Sequence, residues 1–217
     1  VLQTKIGHEH ILEKFLKSIG KKGKIKEPCS VRLSGMNREE FEKLWREKAQ
    51  ALQIDVCWVD PHMKLTDFKL FATDMDSTFL NLETLDEMAA FVGKGDEVSR
   101  ITELTMQGKI RNYAESLTAR VKLMAGVDAS VVDRLIKFHI KPNPGAEALV
   151  SALKKAGIPM LLVSGGFSCV TNVVKERYGF THVISNELEI KDGKLTGRVT
   201  GPFGTPIIDG RGKISYV

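Results

Sequence analysis

The sequence predicts an α/β protein: a Rossmann-like parallel sheet with an inserted four-helix cap, preceded by a small α+β module. Three observations carry this. From Pro142 onward, helical segments alternate with strands that are apolar on both sides, the pattern of a parallel sheet covered on both faces. Upstream, the short apolar stretch FKLFATDMDST (Phe68–Thr78) reads as a first strand, and four helical segments with glycine-containing joints follow it before the alternation begins. Before both, Ser30–Asp60 reads as strand, helix, strand.

Taken in chain order, SVRLSG is the first expected strand. A helix then runs from Asn37 to about Leu52, with Glu40 completing a capped start and Phe41, Leu44, Trp45 and Lys48 at helical spacing. DVCWVD is the next strand, and Pro61–Thr66 is the linker. The expected boundaries are therefore a small module at 1–66 and a larger unit at 67–217, with the cap inserted at about 80–141. Its helices read TLDEMAAFVG, EVSRITELTMQG, NYAESLTARVKLMAG and ASVVDRLIKFHI, punctuated by Gly93, Gly108 and Gly126. A helix over Ala146–Lys155, a strand PMLLVS, a helix over Ser168–Tyr178 and a strand THVIS complete the core.

Composition narrows the function classes. With 217 residues and 42% hydrophobic content the chain can bury a sizeable core. No apolar run approaches the length of a membrane span and no signal-peptide pattern is present, so a cytoplasmic protein with no membrane partner is expected. Cys29, Cys57 and Cys169 are odd in number and widely spaced, which argues against a disulfide framework or a zinc site. Of the net charge of +5, residues 1–66 supply +4 (13 Lys/Arg against 9 Asp/Glu). Lys21, Lys22, Lys24 and Lys26 form a solvated basic loop; without stacking aromatics beside them, no nucleic-acid partner is expected.

The chemistry concentrates where the strands end. Asp74 and Asp76 are one residue apart, so they share a face of the sheet edge if extended geometry persists. D-x-D-x-T at a strand's end is where a phosphate-transferring carboxylate would sit, and paired carboxylates offer the hard oxygen ligands that suit Mg²⁺. Read alone, the same residues make an Asp-rich helix-capping turn. The second site is LLVSGGF (Leu161–Phe167), a buried strand breaking into Ser164-Gly165-Gly166 before a helix. Its glycines let the backbone approach a ligand, and the helix start and the Ser164 hydroxyl offer donors to an anion. In open α/β sheets ligands collect at the carboxyl ends of strands, where Asp74, Asp76 and Ser164 all fall.

DMDST, LLVSGGF, SNELEIKDGKLTG (Ser185–Gly197) and the downstream Lys213 together resemble the haloacid dehalogenase superfamily, and within it the phosphoserine phosphatases. The likeness runs from about Phe68 to Lys213 and includes NLETLDEMA and the QGK-x-x-NYAESL-x-x-RV segment of the cap. Residues 1–66 resemble, more weakly, the ACT-like regulatory module that precedes some members.

The resemblance implies Mg²⁺-dependent hydrolysis of the small-molecule substrate O-phosphoserine. Asp74 would be the nucleophile and Asp76 the acid and then the base. Ser164, the Gly165 N–H and Lys213 would hold the phosphoryl oxygens, and Mg²⁺ would bind the Asp74 carboxylate and the Asp76 carbonyl. In the cap, Glu83 would face the substrate ammonium and Arg120 its carboxylate. Tyr113, Leu117 and Arg120 share one helical face over the site; Tyr113 and Met106 are expected to bind substrate, and with Leu117 they also contribute in part to the apolar core of the cap. The superfamily's last motif, Gly-Asp-Gly-x-x-Asn-Asp, is expected some twenty or more residues after Lys213. The chain ends at Val217, so this C-terminal part of the core is expected to lie outside the sequence.

Two other readings stay open on the sequence: a related phosphatase for another small phosphomonoester, and a catalytically silent sensor of serine or phosphoserine. Oligomeric state is not fixed by the sequence, and a homodimer is one assembly it admits.

Overall fold

Leu2–Gln3 (β1) is the central strand of a three-stranded antiparallel sheet in the first part of the chain, with Ser30–Val31 (β2) on one side and Asp55–Val56 (β3) on the other. The computed structural model describes residues 1–27 and 29–217. They fall into two compact units, Val1–Asp67 and Phe68–Val217. In the first unit, helix Glu9–Ser18 (α1) turns Leu12, Phe15 and Leu16 into the core. Helices Arg38–Leu44 (α2) and Arg46–Ala51 (α3) add Phe41 and Ala49 from the other connection.

This unit departs from the sequence reading in three ways. β1 and α1 were not anticipated at all. The strands expected over SVRLSG and DVCWVD shrink to two residues each. The single helix expected over 37–52 divides at Trp45, whose backbone leaves helical geometry (φ −128°, ψ −13°) while its ring packs against the core. The capped start is as read: Asn37 Oδ1 accepts the Glu40 N–H at 3.0 Å.

The second unit opens with Phe71–Thr73 (β4), a shorter strand than the eleven-residue stretch suggests. Four helices follow before the sheet resumes: Thr84–Phe91 (α4), Gly95–Met106 (α5), Tyr113–Leu123 (α6) and Ser130–Phe138 (α7). Helix Ala146–Lys155 (α8) leads into Met160–Phe167 (β5), helix Ser168–Tyr178 (α9) and strand His182–Lys191 (β6). The sheet order is β4-β5-β6 followed by Lys194–Thr200 (β7), with Gly210–Ile214 (α10) closing the chain. β4, β5 and β6 run parallel, and β7 pairs antiparallel with the far half of β6 as a hairpin. All eight residues of β5 are buried, as a central strand covered on both faces requires.

The helical insert shares one hydrophobic core with the sheet, in which Met88, Val121 and Leu135 join Leu162, Phe167 and Val174. It leaves and re-enters the sheet layer through a narrow neck. Leu80 bridges Pro142, the Asn81 N–H donates to Lys141 O at 3.0 Å, and Asn143 Nδ2 donates to Thr78 O at 2.7 Å. A second attachment joins the α6–α7 turn to the hairpin, where the Gly126 N–H donates to Leu195 O and the Ala129 N–H to Gly193 O, both at 2.8 Å. Among the described residues, no helix is long and apolar enough to cross a membrane.

Phe79 ends the turn that follows Asp76. It is 4% exposed, and its ring meets those of Tyr178 and Phe180 edge-on at 5.0 and 5.1 Å. Phe79→Ala is expected to cost about 3–5 kcal/mol, read as a lowered midpoint in thermal or denaturant unfolding.

Candidate active site

The turn after β4 sets the geometry of the two aspartates. Asp74 and Asp76 both keep extended backbone (φ −80°, ψ 166° and φ −66°, ψ 135°), but the strand does not continue. Ser77 takes left-handed geometry (φ 51°, ψ 12°), and the Leu80 N–H closes a wide turn on Met75 O at 2.9 Å. The two carboxylates therefore line one cleft through a turn rather than through the pleat of a strand. That cleft, about 330 Å³, is bounded by Asp74, Asp76, Ser164, Gly165, Asp209 and Lys213, among others.

Lys213 donates from Nζ to Asp74 Oδ2 at 2.7 Å, across 139 residues of sequence, while Asp74 Oδ1 accepts the Met75 N–H at 2.8 Å. Lys213 sits on α10, whose start is fixed by Asp209 Oδ1 accepting the Gly212 N–H at 2.6 Å. On the facing strand, Ser164 is fully buried and its Oγ accepts the Gly166 N–H at 2.9 Å, which leaves its hydroxyl hydrogen free to donate elsewhere. Two glycines stand at close approaches here, Gly165 the closer. A Cβ on Gly165 would lie 2.3 Å from the Tyr113 hydroxyl, and one on Gly166 would lie 3.1 Å from Asp76 Oδ2.

Asp76 is the most perturbed acid. Its Oδ2 accepts the Thr84 hydroxyl at 3.1 Å, whereas Oδ1 is buried without a protein partner. Burial foremost, then the negative charges of Glu83 and Asp74, raise its pKa to about 7 against the opposing Thr84 hydrogen bond. Glu83, at the start of α4, accepts the Ser77 hydroxyl at 2.6 Å.

A second, larger cleft of about 470 Å³ continues from Asp76 and Glu83 into the helical insert, walled by Thr102, Tyr113, Leu117 and Arg120. Arg120 is 6% exposed, and its Nε is buried without a partner. Burial raises the Tyr113 pKa, as do the site's carboxylates, while Arg120 opposes them. Leu117 is buried and Tyr113 half-buried, consistent with core roles. Met106 is not core: it borders the cleft but is 86% exposed.

Sequence reasoning passed over Ser77, Thr84 and Asp209, which orient Glu83, Asp76 and the Lys213 helix. Thr84 and Asp209 carry the ordinary mark of helix-start residues, and Ser77 lies inside D-x-D-S-T itself. Among the described residues no group of three or more His, Cys, Asp and Glu side chains could hold a metal. Asp74, Asp76 and Glu83 nevertheless line one cleft in which Lys213 is paired to Asp74 alone, an excess of acidic oxygen that a hard divalent cation would offset.

The family described as haloacid dehalogenase-like hydrolase matches residues 71–214. The chain belongs to that family. It is similar to a phosphoserine phosphatase of Polaromonas sp. (strain JS666), with 47% identity over 154 residues, 70% of this chain and 65% of that protein. The chain thus spans about two-thirds of that relative's length. Among solved structures, a phospho-aspartyl intermediate analogue of phosphoserine phosphatase matches with 42% identity and a TM-score of 0.58, over 63% of this chain and 65% of that one. A haloacid dehalogenase (HAD) family hydrolase, t0658, from Salmonella enterica serovar Typhi matches 99% of this chain and 75% of its own at a TM-score of 0.77. At 23% identity it speaks for the fold alone.

The raised pKa of Asp76 has a stability consequence in this HAD-like hydrolase. A carboxyl whose folded pKa exceeds its unfolded value of 3.8 favours the folded state below that value, and this contribution is lost as pH rises through about 7. Asp76→Asn removes the ionisation with little change of shape. Melting in the presence of a chelator is expected to show the variant gaining stability over the parent at pH 8, with the gap closing towards pH 4.

Proposed function

We propose that the chain carries the active site of a phosphoserine phosphatase, hydrolysing O-phospho-L-serine to L-serine and phosphate through an aspartyl-phosphate, the last step of serine biosynthesis. The observation that carries this reading is one continuous cleft with two chemically distinct ends. Asp74, Ser164 and Lys213 meet at one end and the buried Arg120 lines the other, with Asp76 and Glu83 bordering both. Anion donors at the first end suit a phosphoryl group, and opposite charges at the second suit an amino acid's ammonium and carboxylate. The similarity to phosphoserine phosphatases over most of the larger unit supports the same substrate.

In the first half-reaction, an Asp74 carboxylate oxygen bonds to phosphorus as the bond from phosphorus to the serine oxygen breaks. Asp76, whose raised pKa keeps it protonated up to about neutral pH, gives its proton to the departing oxygen. In the second, the Asp76 carboxylate takes a proton from water as that water's oxygen bonds to phosphorus and the phosphorus–Asp74 bond breaks. Lys213 is already on Asp74 Oδ2 at 2.7 Å, so in the complex it holds the nucleophile and a phosphoryl oxygen by point charge. The Ser164 hydroxyl and the Gly165 N–H are the remaining donors to phosphoryl oxygens.

Mg²⁺ is the proposed cation, held by the Asp74 carboxylate and the Asp76 carbonyl. When bound it offsets the repulsion between the Asp74 carboxylate and the phosphate dianion. We also read residues 1–66 as an ACT-like regulatory module, supported by an antiparallel β2-β1-β3 sheet with helices in both connections.

Phosphate release from phosphoserine by the full-length protein, with and without Mg²⁺, tests the reading, and no release under either condition overturns it. Asp74→Asn is expected to abolish turnover and phosphoenzyme formation, since an amide cannot serve as the nucleophile. Asp76→Asn should still trap labelled phosphoenzyme while hydrolysing it slowly. Arg120→Ala is expected to weaken phosphoserine far more than phosphoethanolamine, which lacks the carboxylate, by about 1.5–3 kcal/mol in kcat/KM. Equal losses for both would leave Arg120 only a supporting role in the insert.

A further inference from the structure

Three helices of the insert meet at Arg120. The Arg120 Nη1, from α6, donates to Thr102 Oγ1, from α5, at 3.3 Å and lies 3.7 Å from Asp86 Oδ1, from α4. The Thr102 hydroxyl is 3.4 Å from both Asp86 oxygens and 3.2 Å from Val98 O of its own helix, so its one hydrogen is shared between Asp86 and that carbonyl while its oxygen accepts from Arg120. Thr102 and Arg120 line the larger cleft, whereas Asp86 does not and stands behind its wall. The guanidinium is thus engaged on the side of α4 and α5, while its buried Nε has no protein partner.

Consider the same guanidinium without Asp86. A buried cation lacking a counter-charge is costly, and it would turn towards acids in reach that can neutralise it. Glu83 and Asp76 line the same cleft. An internal pair with either would occupy the space in which a ligand carboxylate is to be met and would spend the charge meant for it. Asp86 removes that incentive from outside the cleft. Burial raises the proton affinity of Asp86, and Arg120 and the Thr102 hydrogen bond work against it, so the pair depends on both members.

We propose that Asp86 is a positioning residue: from behind the cleft wall it holds Arg120 towards the cleft and so sets the preference for phosphomonoesters that carry a carboxylate. This rests on the phosphatase reading above.

The test is steady-state kinetics of the full-length protein and its Asp86→Asn, Arg120→Ala and doubly substituted forms, on phosphoserine and on phosphoethanolamine. Asp86→Asn is expected to raise KM for phosphoserine about tenfold, with kcat within about twofold, and to leave phosphoethanolamine within about twofold. In the Arg120→Ala background the same substitution should add nothing, because the group it acts through is gone. Thr102→Val, which keeps the volume and removes the linking hydroxyl, should raise KM selectively for phosphoserine to a smaller extent, and it decides the matter if Asp86→Asn does not fold. Equal loss on both substrates, a loss undiminished in the Arg120→Ala background, or a Thr102→Val protein with unchanged selectivity overturns the assignment. A parent protein that releases phosphate from neither substrate overturns the phosphatase reading itself, and the role of Asp86 falls with it.

Discussion

Negative charge crowded into one cleft is the constraint around which the larger unit is arranged. Asp74, Asp76 and Glu83 line one cleft, and among the described residues Lys213 supplies the only ion pair to any of them. Such crowding opposes folding, and the surrounding structure holds it in place. Thr84 donates to Asp76, Ser77 donates to Glu83, and the Met75 N–H donates to Asp74. The buried length of β5 and the packing of Phe79 against Tyr178 and Phe180 then hold the turn that carries the acids. A site of this kind is primed for a ligand that brings positive charge or accepts a proton, and its acidity is stored where the chemistry needs it.

What was legible in the sequence was what is local. Two aspartates one residue apart, a Ser-Gly-Gly after a buried strand, and the four glycine-jointed helices are each written in consecutive residues, and helices α8 and α9 fall over the residues that the periodicity indicated. Lys213 was beyond that kind of reading: 139 residues separate it from Asp74, and only a resemblance singled it out. The need for glycine at position 165 is likewise three-dimensional, since it comes from a tyrosine of the insert standing where a Cβ would go.

Other misses had local signals that competing patterns covered. Ile11, Leu12, Phe15 and Leu16 have the spacing of an amphipathic helix, which the reading of the chain before Ser30 passed over. Trp45 sits at good helical spacing, and tertiary packing of its ring overrides that propensity to split α2 from α3. Thr84 and Asp86 look like ordinary first-turn residues of α4, a position where Thr and Asp are common for reasons of helix electrostatics. Their partners, Asp76 and Arg120, come from other elements, so nothing in the run of residues around them marks the difference.

The two attachments of the helical insert have a mechanical consequence. One is the neck at Leu80, Pro142 and Asn143; the other is the seam between the α6–α7 turn and the β6–β7 hairpin. A body held at two separated points can turn only about the line that joins them, so the attachments reduce the insert's freedom to that one axis. The α5–α6 joint, with the exposed Met106 beside it, takes part in neither attachment. The helix that carries Arg120 runs into the second attachment, so the C-terminal end of α6 takes its register from the hairpin of the sheet.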